Sequence, residues 1–251
     1  MKVLVIGEFP FVTEVGELCL NAGHDTAVYI VEDLHHTAAS QGAIPEAAAA
    51  EVVIELFNES AAGKEQLLTI VGTAVSPDSL ILTTALAVST TQAAAWLPRP
   101  ERVVGIGLLP PLPAAGIIEL ASGLQTSATA LSRAQAFWQQ TGQETITVGD
   151  GPGLVRARTV GCLINEAVSA LQEGVATPAD IDTAMKLGTN YPLGPLEWAD
   201  LIGLDTVLGV MTGLYHEWGE DRYRPAPLLR RMVLAGRYGR KSGAGFYSYG
   251  P

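Results

Sequence analysis

With 251 residues, of which 48% are hydrophobic, the chain has length for one large domain or two small ones and ample material for a packed core. A formal net charge of −11 argues against nucleic acid and anionic membrane surfaces as partners, although a local site can oppose the global field and still take an anionic cofactor. The two cysteines, Cys19 and Cys162, lie on apolar helix faces and read as buried thiols of a reducing cytoplasm.

The first apolar run ends at Gly7, before Glu8, so no signal peptide is expected. Lys2 to Gly7 predicts a buried strand. Thr13 reads as a helix N-cap, with Glu14 and Glu17 in the first turn, where negative charge suits the helix dipole. Val15, Leu18, Cys19 and Ala22 recur at helical spacing, Gly23 ends the helix, and Thr26 to Val31 predicts a second strand. This β-α-β unit has the length of a mononucleotide-binding unit, but its turn departs from the dinucleotide fingerprint. Gly7 supplies the first glycine; Phe9 and Val12 hold the second and third positions, and Pro10 between them removes an N–H donor. The acidic ribose position at the end of the second strand falls on Ile30, with Glu32 and Asp33 two and three residues later. NAD binding is therefore expected to be compromised.

Glu32 to Ala50 is a polar, alanine-rich link containing His35 and His36, whose adjacency gives poor metal geometry; no metal is expected. Strands follow at Glu51 to Phe57, Leu80 to Thr84, Arg102 to Leu108, Gly116 to Leu120 and Glu144 to Val148. Helices at Gly63 to Val75, Ser89 to Leu97 and Thr126 to Thr141 alternate with them, which implies a mostly parallel sheet covered on both faces. The most apolar stretch, Val103 to Ile118, is broken by Pro110, Pro111 and Pro113 and predicts no bilayer span. After Gly153 the pattern is helical: Leu154 to Glu173, a helix capped by Thr177 with Pro178 at its first position, Asp200 to Glu217, and Ala226 to Gly236. The expected division is a Rossmann-like α/β domain over 1–150 and an all-α domain over 151–251. Trp198, Leu201, Leu204 and Leu208 form an apolar stripe there that suggests a homodimer.

Two long stretches, AMKLGTNYPLGPLEWADLIGLD (Ala184 to Asp205) and PAPLLRRMVLAGRYGRKSGAGFYSY (Pro225 to Tyr249), resemble the C-terminal domain of the 3-hydroxyacyl-CoA dehydrogenase family. AGHDTAVY, VVIELFNES and RPERVVGIGLLPPLPAAGIIEL extend the resemblance through the first half. The family's helical hairpin after the second strand, which helps hold the CoA moiety, has no counterpart in the short Glu32 to Ala50 link.

The resemblance implies NAD-dependent oxidation of (3S)-3-hydroxyacyl-CoA. A histidine takes the hydroxyl proton, a glutamate orients it, and a serine and an asparagine contact the substrate oxygen and the cofactor. Carried over by position, the glutamate is Glu119, while the histidine falls on Gly107 and the asparagine of the same run on Pro110. The serine falls near Leu86, for which Thr83, Thr84 or Ser89 would substitute after a shift, and the asparagine of the long helix falls on Ala157, between Arg156 and Arg158. The resemblance also assigns cofactor contacts to Glu59, Lys64 and Lys241, beside Gly7. Read from the residues alone, Glu59 and Lys64 form a surface ion pair, Lys241 holds the C-terminal segment, and Arg156 anchors an acidic or phosphate group or snorkels.

The candidate site is thus Glu119 for catalysis, Gly7, Glu59, Lys64 and Lys241 for the cofactor, and Thr84, Ser89 and Arg156 for an acyl-CoA-like substrate. The joint departures lead to an expectation of a homologue that has lost dehydrogenation and binds acyl-CoA or a nucleotide. The alternative is an active oxidoreductase with a rearranged site.

Overall fold

The computed structural model describes residues 1–31 and 44–250. Glu32, Asp33, His35, His36 and most of the link in which the family hairpin was sought lie outside the described residues. The chain divides into two compact units, Met1–Val155 and a second beginning at Arg156.

The first unit runs β1 (Lys2–Gly7), α1 (Phe11–Asn21), β2 (Asp25–Ile30), β3 (Val52–Leu56), α2 (Ala61–Ala74), β4 (Leu80–Thr84), α3 (Thr90–Ala95), β5 (Val103–Gly107), β6 (Ile117–Ala121), α4 (Ala128–Gln140) and β7 (Glu144–Val148). The seven strands form one sheet in the order β2-β1-β3-β4-β5-β6-β7, with every adjacent pair parallel except β5 and β6. This is the Rossmann-like, mostly parallel sheet expected. Strands β3, β4 and β5 are buried at every residue, as continuous Val, Ile and Leu runs covered on both faces should be. Leu4, Ile6, Val53 and Ile81 of the sheet join Leu68 and Val71 of α2 in the main apolar cluster.

Two local expectations change. Helix α1 starts at Phe11, two residues before Thr13, and no side chain caps it. Pro10 occupies its N-cap position with φ −87°, and Val12 N–H donates to Glu8 O at 3.1 Å. A proline is suited to a helix start because its missing N–H would have no intrahelical partner there.

The second unit comprises α5 (Arg156–Gln172), α6 (Pro178–Thr189), α7 (Pro195–Ile202), α8 (Leu204–Trp218) and α9 (Pro227–Leu234). Thr177 caps α6 as expected, its Oγ1 accepting from Asp180 N–H. The helix expected from Asp200 is two helices, broken by Gly203 at φ +105°, a backbone conformation only glycine adopts without strain. The C-terminal segment is stitched to this unit by two buried carboxylates. Asp200 accepts from Phe246 N–H and Tyr247 N–H, both at 2.9 Å, and Asp182 accepts from Leu196 N–H and Glu197 N–H at 2.8 Å and from Tyr247 O–H at 2.7 Å. Burial pushes the Asp200 carboxyl up against the opposing pull of its two backbone donors.

Asp150, just after β7, closes the first unit on itself. Its two oxygens accept from Thr90 N–H at 2.7 Å, Thr91 N–H at 2.9 Å and Thr91 Oγ1–H at 2.7 Å, all at the start of α3. Asp150→Ala is expected to cost about 1–2 kcal/mol, the range of a lost helix cap, read as a lower denaturant midpoint at unchanged slope.

Candidate functional site

In an open, parallel α/β sheet, ligands bind outside the C-terminal ends of the strands. The candidate residues of the first unit gather along that edge. Glu55 is the single charged residue in the buried strand β3, and its carboxylate is fully buried. A buried charge requires a partner, and Lys64 of α2 supplies it, with Nζ–Oε2 at 2.6 Å. Lys64 Nζ donates also to Phe57 O and to Thr84 Oγ1, both at 2.9 Å. Thr83 Oγ1–H donates to Glu55 Oε2 at 2.6 Å, Phe57 N–H donates to Glu55 Oε1 at 2.8 Å, and Thr84 Oγ1–H donates to Asn58 Oδ1 at 2.6 Å. Burial pulls the Lys64 ammonium below its ordinary pKa, and Glu55 opposes that pull.

This network corrects two expectations. Lys64 is not the surface partner of Glu59: it is 1% exposed and spends its three donors inside the fold, while Glu59 is exposed. Thr84 is wholly buried, with its hydroxyl engaged on both sides, so it lines no substrate surface. Ser89 is likewise committed, accepting from Gln92 N–H at 3.2 Å as the cap of α3.

Glu119 and Gly107 are directly opposed on the antiparallel pair β5–β6. A Cβ at position 107 would lie 2.6 Å from Glu119 Oε2 and 2.9 Å from Leu154 Cδ1, so the Glu119 carboxylate occupies the volume that a side chain on residue 107 would need. Glu119 Oε2 accepts from Val155 N–H at 3.3 Å. Glu119 is 7% exposed, beside the apolar cluster of Ala85, Ala121 and Leu154.

Gly7 ends β1 with φ +153°, and a Cβ there would fall 2.5 Å from the Leu56 carbonyl carbon, so close backbone approach to β3 requires glycine whatever else binds. Phe9 follows, 51% exposed, with its ring turned substantially to solvent instead of filling the fold. In the second unit Lys241 pairs with Asp205 Oδ2, and its Nζ lies 5.5 Å from the centre of the Tyr238 ring. Arg156 opens α5 and is partly buried. Cys19 is buried, its thiol pushed up to about 12 by desolvation, and Cys162 is half-buried. Among the described residues no group of three His, Cys, Asp or Glu side chains could hold a metal ion, and no helix is long and apolar enough to cross a membrane.

Sequence reasoning missed Glu55, Asn58 and Asp150, and it read Glu14 as a helix-dipole residue without its partner Leu112. Glu55 carried a signal, a lone carboxylate within VVIELF. The others meet Thr84, Leu112, Thr90 and Thr91 through tertiary contacts.

Comparisons with known proteins bear on what these residues serve. Residues 4–151 match the family described as 3-hydroxyacyl-CoA dehydrogenase, NAD binding domain, and residues 153–249 match the 3-hydroxyacyl-CoA dehydrogenase, C-terminal domain. A probable 3-hydroxybutyryl-CoA dehydrogenase of Bacillus subtilis is 40% identical over 206 residues, covering 82% of this chain and 72% of that protein. The 3-hydroxybutyryl-CoA dehydrogenase of Clostridioides difficile is 36% identical over 199 residues, covering 79% of this chain and 71% of that protein. The crystal structure of (S)-3-hydroxybutyryl-CoA dehydrogenase from Ralstonia eutropha aligns with a TM-score of 0.78 at 32% identity, over 100% of this chain and 99% of that one. These relatives overturn the expectation of a homologue that has lost dehydrogenation, because chains this similar over most of their length are named for that activity. The match to an NAD-binding domain likewise gives no support to the doubt over NAD raised by the β1–α1 turn. Sheet order, helical second unit and both domain matches agree: the chain belongs to the 3-hydroxyacyl-CoA dehydrogenase family.

Proposed function

We propose that the chain is an NAD-dependent dehydrogenase that interconverts (3S)-3-hydroxybutyryl-CoA, or a closely similar short 3-hydroxyacyl-CoA, with its 3-keto thioester. The observation that carries this reading is the identity of 36–40% to 3-hydroxybutyryl-CoA dehydrogenases over about four-fifths of the chain.

The β1–α1 turn has part of what a dinucleotide needs, although Pro10 has no N–H and Val12 N–H donates to Glu8 O. Helix α1 has no side-chain cap on its first N–H groups, Gly7 lets β1 approach β3 closely, and Phe9 is turned substantially to solvent. The turn between Gly7 and Phe11 would hold the pyrophosphate, and the exposed Glu59 at the end of β3 would meet a ribose hydroxyl. Bound NAD would supply the acceptor for the hydride on C3 of the substrate. Glu119 takes the hydroxyl proton as the carbinol becomes a ketone, and returns it in reduction. Gly107 makes room for that carboxylate, and the N–H of Val155 fixes one of its oxygens. Glu55, Lys64 and Thr84 fix the ends of β3 and β4 from below. Of the stripe on which a homodimer was expected, Leu204 is buried and Trp198, Leu201 and Leu208 are half-buried, so that stripe offers no open apolar face.

The test is reduction of acetoacetyl-CoA by the purified chain, followed as loss of NADH absorbance. Turnover that requires both compounds is expected. NADH consumption no faster than without enzyme would overturn the reading.

A further inference from the structure

Residues 108–116 connect β5 to β6 and therefore join the two strands that carry Gly107 and Glu119. Prolines stand at 110, 111 and 113, and proline has no backbone N–H, so between 110 and 113 only Leu112 can donate. Its N–H goes to Glu14 Oε2 at 2.7 Å. Glu14 lies in the first turn of α1.

This contact spans the sheet. Strands β3 and β4 lie between β1 and β5, so the ends of β1 and β5 stand about 14 Å apart at the usual strand spacing. All four strands are parallel and end on the same edge, the edge outside which ligands of such sheets bind. The segment from β5 thus reaches back toward the helix that follows β1. Its root is apolar, with Leu108 and Leu109 at 1% and 5% exposure. Its far side is held by Gln143, whose Nε2 donates to Pro113 O at 3.2 Å and Ala114 O at 3.0 Å, and by Glu144 N–H on Gly116 O at 2.8 Å. Glu14 makes the tie on the α1 side.

Glu14 bears a cost for this placement. Burial raises its carboxyl pKa and Glu17 adds to the rise, while the Leu112 N–H opposes both. A carboxylate needed only to complement the helix dipole would do so from solvent.

We propose that Glu14 is a positioning residue, which holds residues 108–116 as a wall of the crevice beside Glu119 and thereby sets the affinity for the acyl-CoA thioester. The proposal rests on the dehydrogenase reading above, and Glu14 touches no reacting atom in it.

Three variants of the full chain test it. Glu14→Ala removes the acceptor. Glu14→Gln removes the charge but keeps an amide oxygen for Leu112. Leu112→Pro removes the donor and leaves Glu14 intact, so it reads the tie even if Glu14→Ala folds poorly. Acetoacetyl-CoA is titrated calorimetrically in the presence of NADH, kcat and KM are measured, and hydrogen exchange is followed over residues 108–116. Glu14→Ala and Leu112→Pro are expected to weaken acetoacetyl-CoA binding about tenfold and raise KM to match, the scale of one lost hydrogen bond to a charged group. Exchange in the segment should quicken in both, with kcat and NADH affinity close to wild type. Glu14→Gln should stay near wild type in every readout. Wild-type affinity in Leu112→Pro, or a Glu14→Gln as weak as Glu14→Ala, overturns the proposal. A wild-type chain that binds acetoacetyl-CoA without turnover overturns the dehydrogenase reading alone; one that binds none overturns both.

Discussion

Replacing Glu119 by Gln is expected to lower kcat by about 10² to 10⁴, the usual contribution of a positioned base, with little change in the affinity for NADH or acetoacetyl-CoA. The amide has the shape of the carboxylate, fits against Gly107, and can still accept from Val155 N–H. What it cannot do is take the proton released when the carbinol is oxidised. Steady-state kinetics beside calorimetric titration separates the two effects. A Glu119→Gln variant with wild-type kcat would show that the proton goes elsewhere.

Replacing Lys64 by Met is expected to destabilise the fold by about 3–5 kcal/mol, because it leaves the Glu55 carboxylate buried without its cation. That is a large share of the ~5–15 kcal/mol that holds a typical protein folded. The remaining contacts on Glu55, from Thr83 Oγ1–H and Phe57 N–H, satisfy its oxygens but do not balance its charge. The double variant Glu55→Gln with Lys64→Met removes both charges and should recover most of the loss. Denaturant midpoints of wild type, both single variants and the double variant close the cycle. A Lys64→Met chain within about 1 kcal/mol of wild type would contradict a dry, paired Lys64.

Much of the fold could be read from the sequence because it rests on local signals. Buried strands such as β1 and β5 carry Val and Ile runs, and Thr177 with Pro178 marks a helix start in plain sight. The break at Gly203 escaped because the apolar pattern continues on either side of it; only the positive φ separates α7 from α8. The site was less legible, for a different reason. By proximity in sequence Lys64 pairs with Glu59, yet in the fold its partner is Glu55, nine residues back, on the adjoining strand. Position by position, a glycine for a histidine reads as lost chemistry. That reading ignores which residue stands across the ladder, and cross-strand register is invisible in a linear sequence. Only the register of β5 against β6 brings Gly107 and Glu119 face to face.

The opposition of Gly107 and Glu119 also bears on how this chain can change over time. The family resemblance places a histidine at 107, but a single step back to one meets the Glu119 carboxylate, 2.6 Å from the first side-chain atom. Glu119 would have to take another rotamer and give up the Val155 N–H before an imidazole could enter. The two positions are therefore coupled: each residue sets which neighbours the other tolerates. The atoms met are the far ends of flexible side chains, Glu119 Oε2 and Leu154 Cδ1, so position 107 is open to a larger residue whenever Glu119 turns aside.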